Sequence, residues 1–96
     1  MSQSIFGEEP DTRKLFPVYS GVIKYFPNAI AAVSQLSRKG NEQHNPGKPL
    51  HWDRSKSGDE LDALLRHIIE EDWTAVAWRA LANLEKQIEG GYNGEK

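Results

Sequence analysis

The sequence predicts an all-α fold, and three observations support that fold class. Apolar residues recur at helical spacing in three segments, residues that start and end helices flank those segments, and no segment alternates apolar with polar residues as a strand does. The chain has 96 residues, 38% of them hydrophobic and 27% charged, an ordinary composition for a folded domain. We therefore expect a small three-helix domain over residues 13–89, between a flexible tail at 1–12 and a second tail at 90–96.

The segment TRKLFPVYSGVIKYFP precedes the first expected helix. Prolines and a glycine interrupt it, so we expect irregular structure with at most a short helical turn at residues 20–25. The first helix is predicted at Asn28–Lys39, with Gly40 as its C-terminal stop. Its buried stripe is expected to consist of Ile30, Val33, Leu36 and Ser37.

Two further helices are predicted in the second half of the chain. One begins with Ser57-Gly-Asp-Glu60, a capping box, and its apolar face consists of Leu61, Leu64, Leu65 and Ile68. The last helix follows Asp72, which could cap it, and ends at Gly90-Gly91. Its apolar stripe consists of Trp73, Val76, Ala77, Ala80, Leu81, Leu84 and Ile88.

Three short helices with such wide apolar stripes cannot cover one another in a chain of this size. A domain of this length buries only roughly 60–65% of the surface that its unfolded chain exposes, and Trp73 and Trp78 are expected to have too few partners within one chain. We therefore predict a homo-oligomer in which helices pack across subunits. The alternative is a compact monomer with some exposed apolar surface.

The composition and the N-terminus predict a cytoplasmic protein. No cysteine is present, which excludes disulfides and thiolate metal sites. No apolar run reaches the roughly 20 residues that cross a bilayer. The start, MSQSIFGEEPDTRK, lacks the basic-then-apolar order of a signal peptide. We expect no membrane partner.

The long loop between the first two predicted helices, residues 40–57, is basic. From Lys39 to Gly58, four cations and two anions give a net charge of +2, whereas eight cations and twelve anions give −4 elsewhere. This local charge suits a small anionic ligand and argues against general nucleic-acid binding. Connections longer than about 12–15 residues are usually functional or disordered. Because the loop contains Trp52, two histidines and two prolines, we favour an ordered functional loop.

The long loop contains the parts of a nucleotide site in front of a helix N-terminus. Cations and free N–H groups suit phosphate, amides and imidazoles suit base and ribose, and Trp52 could stack on a base. Two alternatives stay open: Trp52 could anchor the loop in the core, and Arg54 could only pair with Asp53 or Asp59. The candidate nucleotide-binding residues are Asn41, His44, Asn45, Lys48, His51, Trp52, Arg54, Ser55, Lys56, Ser57 and Arg66.

Two carboxylates, Asp59 and Asp62, lie one turn apart on the second predicted helix, with Arg66 on the same flank. Such a pair could hold Mg²⁺, which takes oxygen ligands and bridges to phosphates. The alternative is an acidic first turn that complements the helix dipole, with Asp62 paired to Arg66. For Asp59 we favour the alternative.

Three stretches of the chain resemble a known family. The run RKLFPVYSGVIKYFPNAIAAVSQLSRKGNEQHNPGKPLHWDRSKS, the DALLRH that follows and the later AWRALANLE are similar to small phage and bacterial proteins known as the N-terminal domain of dATP/dGTP diphosphohydrolase. That family is distantly like the all-α nucleotide pyrophosphohydrolases of the MazG type. The resemblance extends from Arg13 to Glu89. It implies an all-α oligomer that handles purine nucleotides in phage metabolism or phage–host conflict, located in the host cytoplasm if a phage encodes it.

Two departures from the family pattern bear on catalysis. MazG-type enzymes bind Mg²⁺ through a Glu-x-x-Glu pair on one helix and an acidic pair on the next, but NAIAAVSQLS contains no carboxylate. Asp59 and Asp62 remain, with Glu42 as a substitute from the long loop, so the resemblance makes Asp62 and Glu42 the candidate catalytic residues. In addition, the short EEDWTAV replaces the family's Gly-containing insertion and the His before AWRAL.

Three functions stay open at this point. The first is a Mg²⁺-dependent diphosphohydrolase that cuts a purine (deoxy)nucleoside triphosphate with water activated on the metal. The second is a non-catalytic sponge that sequesters a nucleotide, such as a cyclic or ADP-ribose-type immune signal, as an anti-defence protein. The third is a helical module whose long loop docks on a host protein. The incomplete carboxylate set favours binding over hydrolysis.

Overall fold

The structure, a computed structural model, describes residues 4–54 and 60–90. Every regular element within these residues is helical, which confirms the predicted all-α class. None of the described helices combines the length and the apolarity needed to cross a bilayer. Two short elements precede three longer helices: α1 (Pro10–Arg13), a π-helical turn (Tyr19–Ile23), α2 (Pro27–His44), α3 (Glu60–Ile69) and α4 (Trp73–Glu89).

The chain divides into two compact units, residues 1–30 and 31–96. In the first unit, Phe6 meets Phe16 edge-on, with ring centroids 5.4 Å apart. Arg13 donates through Nη1 to the carbonyl oxygen of Gly7 at 2.8 Å. Part of the segment predicted to be a flexible tail therefore takes part in a folded turn, and the π-helical turn lies where the sequence predicted a short helical turn.

Helix α2 is longer than the sequence predicted, because it passes through Gly40 and ends at His44. The expected stop at Gly40 is wrong. Arg38 donates to Glu42 at 2.6 Å, and this pair spans the glycine on one helix face. The helix ends instead where Pro46 disfavours helical backbone in the residue before it. Three candidate site residues therefore lie on α2 and not in a loop: Asn41, Glu42 and His44.

Helices α3 and α4 form a hairpin closed by a Schellman turn. The N–H of Asp72 donates to the carbonyl of His67, and the N–H of Glu71 donates to the carbonyl of Ile68, both at 3.0 Å. Glu71 has a φ of 58°, the left-handed conformation that glycine usually supplies in this turn. Asp72 then caps α4 by accepting from the N–H of Ala75 at 3.3 Å, which confirms the predicted cap.

We expect Glu71→Gly to raise the free energy of unfolding by about 0.5–1 kcal/mol. Left-handed backbone costs an L-residue roughly 1–2 kcal/mol, and the flexibility of glycine in the unfolded chain offsets part of that gain. Urea denaturation followed by circular dichroism measures the change. Glu70→Gly is the matched control, since it removes the same charge where φ is not positive. The control should lose stability, and a loss in both variants would contradict the argument.

Alanines form the buried core of the hairpin. Ala63, Ala75 and Ala82 are only 5–7% exposed, and they bring α3 and α4 close together because their side chains are small. The large apolar residues of the predicted stripes lie mostly on the surface of the single chain. They are 37–66% exposed: Leu61, Leu65 and Ile68 on α3, and Trp73, Leu81, Leu84 and Ile88 on α4.

Two polar contacts join α4 to the other long helices. Lys86 of α4 donates through Nζ to Glu60 of α3 at 2.8 Å, with both side chains largely buried. Trp78 of α4 donates through Nε1 to the hydroxyl of Ser37 on α2 at 2.6 Å. Helix α4 is thereby connected to both of the other long helices.

Candidate functional site

The chain that follows α2, residues 45–54, is called the site loop below, and it begins with a tight turn. The N–H of Lys48 donates to the carbonyl of Asn45 at 3.0 Å, and Gly47 has a φ of 77°. With Pro46 at the second position, these features define a type II turn, in which proline presets its own φ and glycine supplies the positive φ. The sequence Asn-Pro-Gly-Lys therefore folds locally and leaves the side chain of Lys48 exposed.

Asn41, on the last turn of α2, holds the site loop against the helix end. Its Nδ2 donates to the carbonyl of Lys48 at 3.1 Å, and its Oδ1 accepts from the N–H of His51 at 3.3 Å and from Nδ2 of Asn45 at 3.2 Å. One amide thus satisfies backbone groups at two points of the loop. The side chains of Asn41 and Asn45, predicted to contact base or ribose, are engaged in fixing the loop.

A shallow groove lies along this part of the site loop. Its volume is about 440 Å³, near the lower end of the range found for small-molecule sites. Three of the predicted nucleotide-binding residues line this groove, and two of them, Lys48 and His51, have exposed side chains. The lining residues are Asn45, Lys48, Pro49, Leu50 and His51.

Trp52 fixes the other end of the site loop to α4. Its ring meets that of Trp78 edge-on, with centroids 5.7 Å apart and planes at 79°. This is the preferred geometry for an aromatic pair. Trp52 therefore has the contacts of a loop anchor, the alternative to base stacking. Trp78, which is expected to have too few partners within one chain, contacts both Trp52 and Ser37.

Arg54 is placed between Trp52 and the end of α4. Its guanidinium carbon lies 4.2 Å from the centroid of the Trp52 ring, a cation–π distance. Its Nε donates to both carboxylate oxygens of Glu89, at 2.9 and 3.1 Å. The side chain is half exposed. A ligand phosphate would have to compete with Glu89 for Arg54, and a base would have to stack on Trp52 away from the face that Arg54 covers.

The remaining candidate residues are divided among several places. Ser55, Lys56, Ser57 and Asp59 lie outside the described residues, and so does every residue of the predicted capping box except Glu60. Asp62 and Arg66 are exposed on α3, and His44 is exposed at the end of α2. Glu42 accepts from Arg38. Within residues 4–54 and 60–90, no group of three or more His, Asp or Glu side chains has the arrangement that holds a metal ion. Mg²⁺ binding by Asp59 and Asp62 stays a prediction.

Sequence reasoning missed two residues that shape the site loop. Trp78 lies off the apolar stripe of α4, and that position on an amphipathic helix is the signal that it packs against another element. Glu89 resembles any solvated acid near a helix end, and nothing in the sequence connects it with Arg54. Comparison with known proteins adds no assignment, because no protein-family model, no curated protein and no solved structure matches this chain.

Proposed function

We propose that this protein binds a purine nucleotide, or a signal derived from one, at the site loop and releases it chemically unchanged. The observation that supports this proposal is the held conformation of the loop. Asn41 fixes its beginning and Trp78 fixes its end, while Lys48 and His51 remain exposed along one groove. A preorganised loop loses less conformational entropy on binding than a mobile one, so its cations bind an anion more tightly.

Cationic side chains, and not a helix dipole, would attract the phosphates. The groove is next to the C-terminal end of α2, where the dipole opposes an anion by about 0.3–1 kcal/mol. A charge-assisted hydrogen bond contributes roughly 1.5–3 kcal/mol. The cation of Lys48 therefore outweighs the dipole. The resemblance described above supplies the expectation that the anion is a purine nucleotide.

The placement of two candidate carboxylates, Glu42 and Asp62, supports release of the unchanged ligand. A protein Mg²⁺ site needs carboxylates that point at one ion. Glu42, a candidate catalytic residue, is instead paired with Arg38 on its own helix, and Asp62 is an exposed residue of α3.

The direct test is calorimetry against a panel of ligands, with and without Mg²⁺. The panel contains ATP, dATP, GTP, dGTP, cyclic purine dinucleotides and ADP-ribose. We expect a measurable heat of binding with at least one purine compound. After thermal denaturation of the protein, chromatography should recover that compound intact. Absence of heat across the whole panel would refute nucleotide binding. Formation of a monophosphate and pyrophosphate would instead support the diphosphohydrolase.

Lys48→Ala is expected to weaken binding of the identified ligand about tenfold. One exposed charge-assisted hydrogen bond to phosphate accounts for roughly 1–1.5 kcal/mol. Lys39→Ala is the matched control, since it removes the same charge from an exposed residue of α2 that does not line the groove. Binding of this control should stay within about twofold of the original affinity. Equal losses in both variants would indicate a general charge effect and not a contact in the groove.

A further inference from the structure

We propose that a second copy of this chain docks on the exposed apolar stripe of α4, with the two α4 helices antiparallel. The residues of this surface, called the α4 stripe, are Trp73, Ala77, Ala80, Leu81, Leu84 and Ile88. Its four large side chains are 52–61% exposed. The proposal concerns a protein–protein surface and does not depend on the ligand of the site loop.

The α4 stripe points away from the rest of the second unit. At 3.6 residues per turn, it lies roughly opposite the face of α4 that carries the buried Ala75 and Ala82. The contacts of α4 with α2 and the site loop, made by Trp78, also lie off the stripe. Neither α3 nor α2 therefore covers these side chains, although large apolar residues at this spacing normally face a neighbour.

The order of side chains along the α4 stripe makes it complementary to itself. When two copies of α4 run antiparallel about a two-fold axis between Ala80 and Leu81, Trp73 faces the partner's Ile88 and Ala77 faces the partner's Leu84. Ala80 then faces the partner's Leu81. Each alanine meets a leucine, so large side chains fill the space that small ones leave. A symmetric dimer requires that residue i of one copy meets residue j of the other, and that j of the first copy meets i of the second.

The apolar area of the α4 stripe is large enough only for a weak dimer. Its exposed large side chains offer on the order of 300 Å² of apolar surface per copy. Since roughly 65% of a homodimer interface is apolar, the pair would bury a total of about 900–1,000 Å². Specific interfaces usually exceed about 1,000 Å². We therefore expect a dimer that dissociates on dilution.

Disulfide trapping tests the proposal, because the chain has no cysteine of its own. In Ala80→Cys the new thiols lie beside the two-fold axis, within the roughly 7 Å between Cα atoms that a disulfide spans. In Ala77→Cys, its matched control, the two thiols are about seven residues apart along the axis, or roughly 10 Å. We expect mild oxidation to give a covalent dimer of Ala80→Cys and little of Ala77→Cys. Dimers in neither variant, or equal amounts in both, would overturn the antiparallel pair.

Mass measured by sedimentation at several concentrations provides a second test. The unmodified chain should shift from dimer to monomer on dilution. Leu84→Glu should be monomeric at all concentrations, whereas Gln43→Glu, which adds the same charge to an exposed position of α2, should behave like the unmodified chain. Circular dichroism verifies that each variant folds. A monomeric unmodified chain at every concentration would refute self-docking.

Discussion

Trp78→Ala is expected to lower the free energy of unfolding by about 3 kcal/mol and to detach the site loop. The indole makes the edge-on contact with Trp52 and the hydrogen bond to Ser37. Replacing a buried aromatic residue by alanine costs about 3–5 kcal/mol, and the half-buried position of Trp78 favours the lower end of that range. Urea denaturation measures the total loss. Hydrogen exchange at residues 50–54 reports the detachment.

Trp78→Phe is the control for this variant. It keeps an aromatic ring for Trp52 but removes the N–H that donates to Ser37, so the expected loss is about 1 kcal/mol. Exchange in the site loop should stay close to that of the unmodified chain. Similar losses in both variants would mean that the hydrogen bond to Ser37, and not the ring contact with Trp52, makes most of the contribution of Trp78 to stability. Unchanged exchange in Trp78→Ala would contradict the anchoring role of Trp78.

Asn41→Ala is expected to cost about 2 kcal/mol and to loosen the first half of the site loop. The substitution removes three hydrogen bonds, each of which contributes roughly 0.5–1.5 kcal/mol, and two of them hold the backbone of Lys48 and His51. Alanine is a better helix former than asparagine, and this difference offsets part of the lost stability. Amide exchange of His51 should rise most, because its N–H loses its acceptor.

Asn41→Asp separates the two functions of this amide. The carboxylate can still accept from the N–H of His51, but it cannot donate to the carbonyl of Lys48. We expect exchange of the His51 amide to stay slow while nucleotide affinity falls, since the new negative charge lies beside the groove. If Asn41→Ala left both exchange and affinity unchanged, the hydrogen bonds of Asn41 would not be what fixes the loop.

The sequence predicted the long helices well where local signals act alone. Asp72 was recognised as the cap of α4, and it makes that cap through a hydrogen bond three residues away. The predicted end of α2 is wrong because Gly40 stops the helix less strongly than the Arg38–Glu42 pair and Pro46 favour its continuation to His44. The glycine, the ion pair and the proline are all visible in the sequence, but the sequence alone does not show which of them decides where the helix ends.

The contacts of the site loop could not be predicted in the same way. Arg54 pairs with Glu89, 35 positions along the chain, and Trp52 meets Trp78 of α4. Such pairs depend on the tertiary arrangement of α2 and α4, about which helical periodicity gives no information. Composition identified the cationic and aromatic residues of the loop. It could not distinguish a side chain that holds the loop from one that is free to meet a ligand.

The paired indoles of Trp52 and Trp78 also provide an optical readout that needs no label. Two such chromophores 5.7 Å apart and nearly perpendicular couple their electronic transitions, and the nearby guanidinium of Arg54 perturbs one of them. The third tryptophan, Trp73, is 61% exposed, so it gives a solvent-like emission as an internal reference. Near-ultraviolet dichroism should therefore follow opening and closing of residues 50–54 directly, in unmodified protein and in real time.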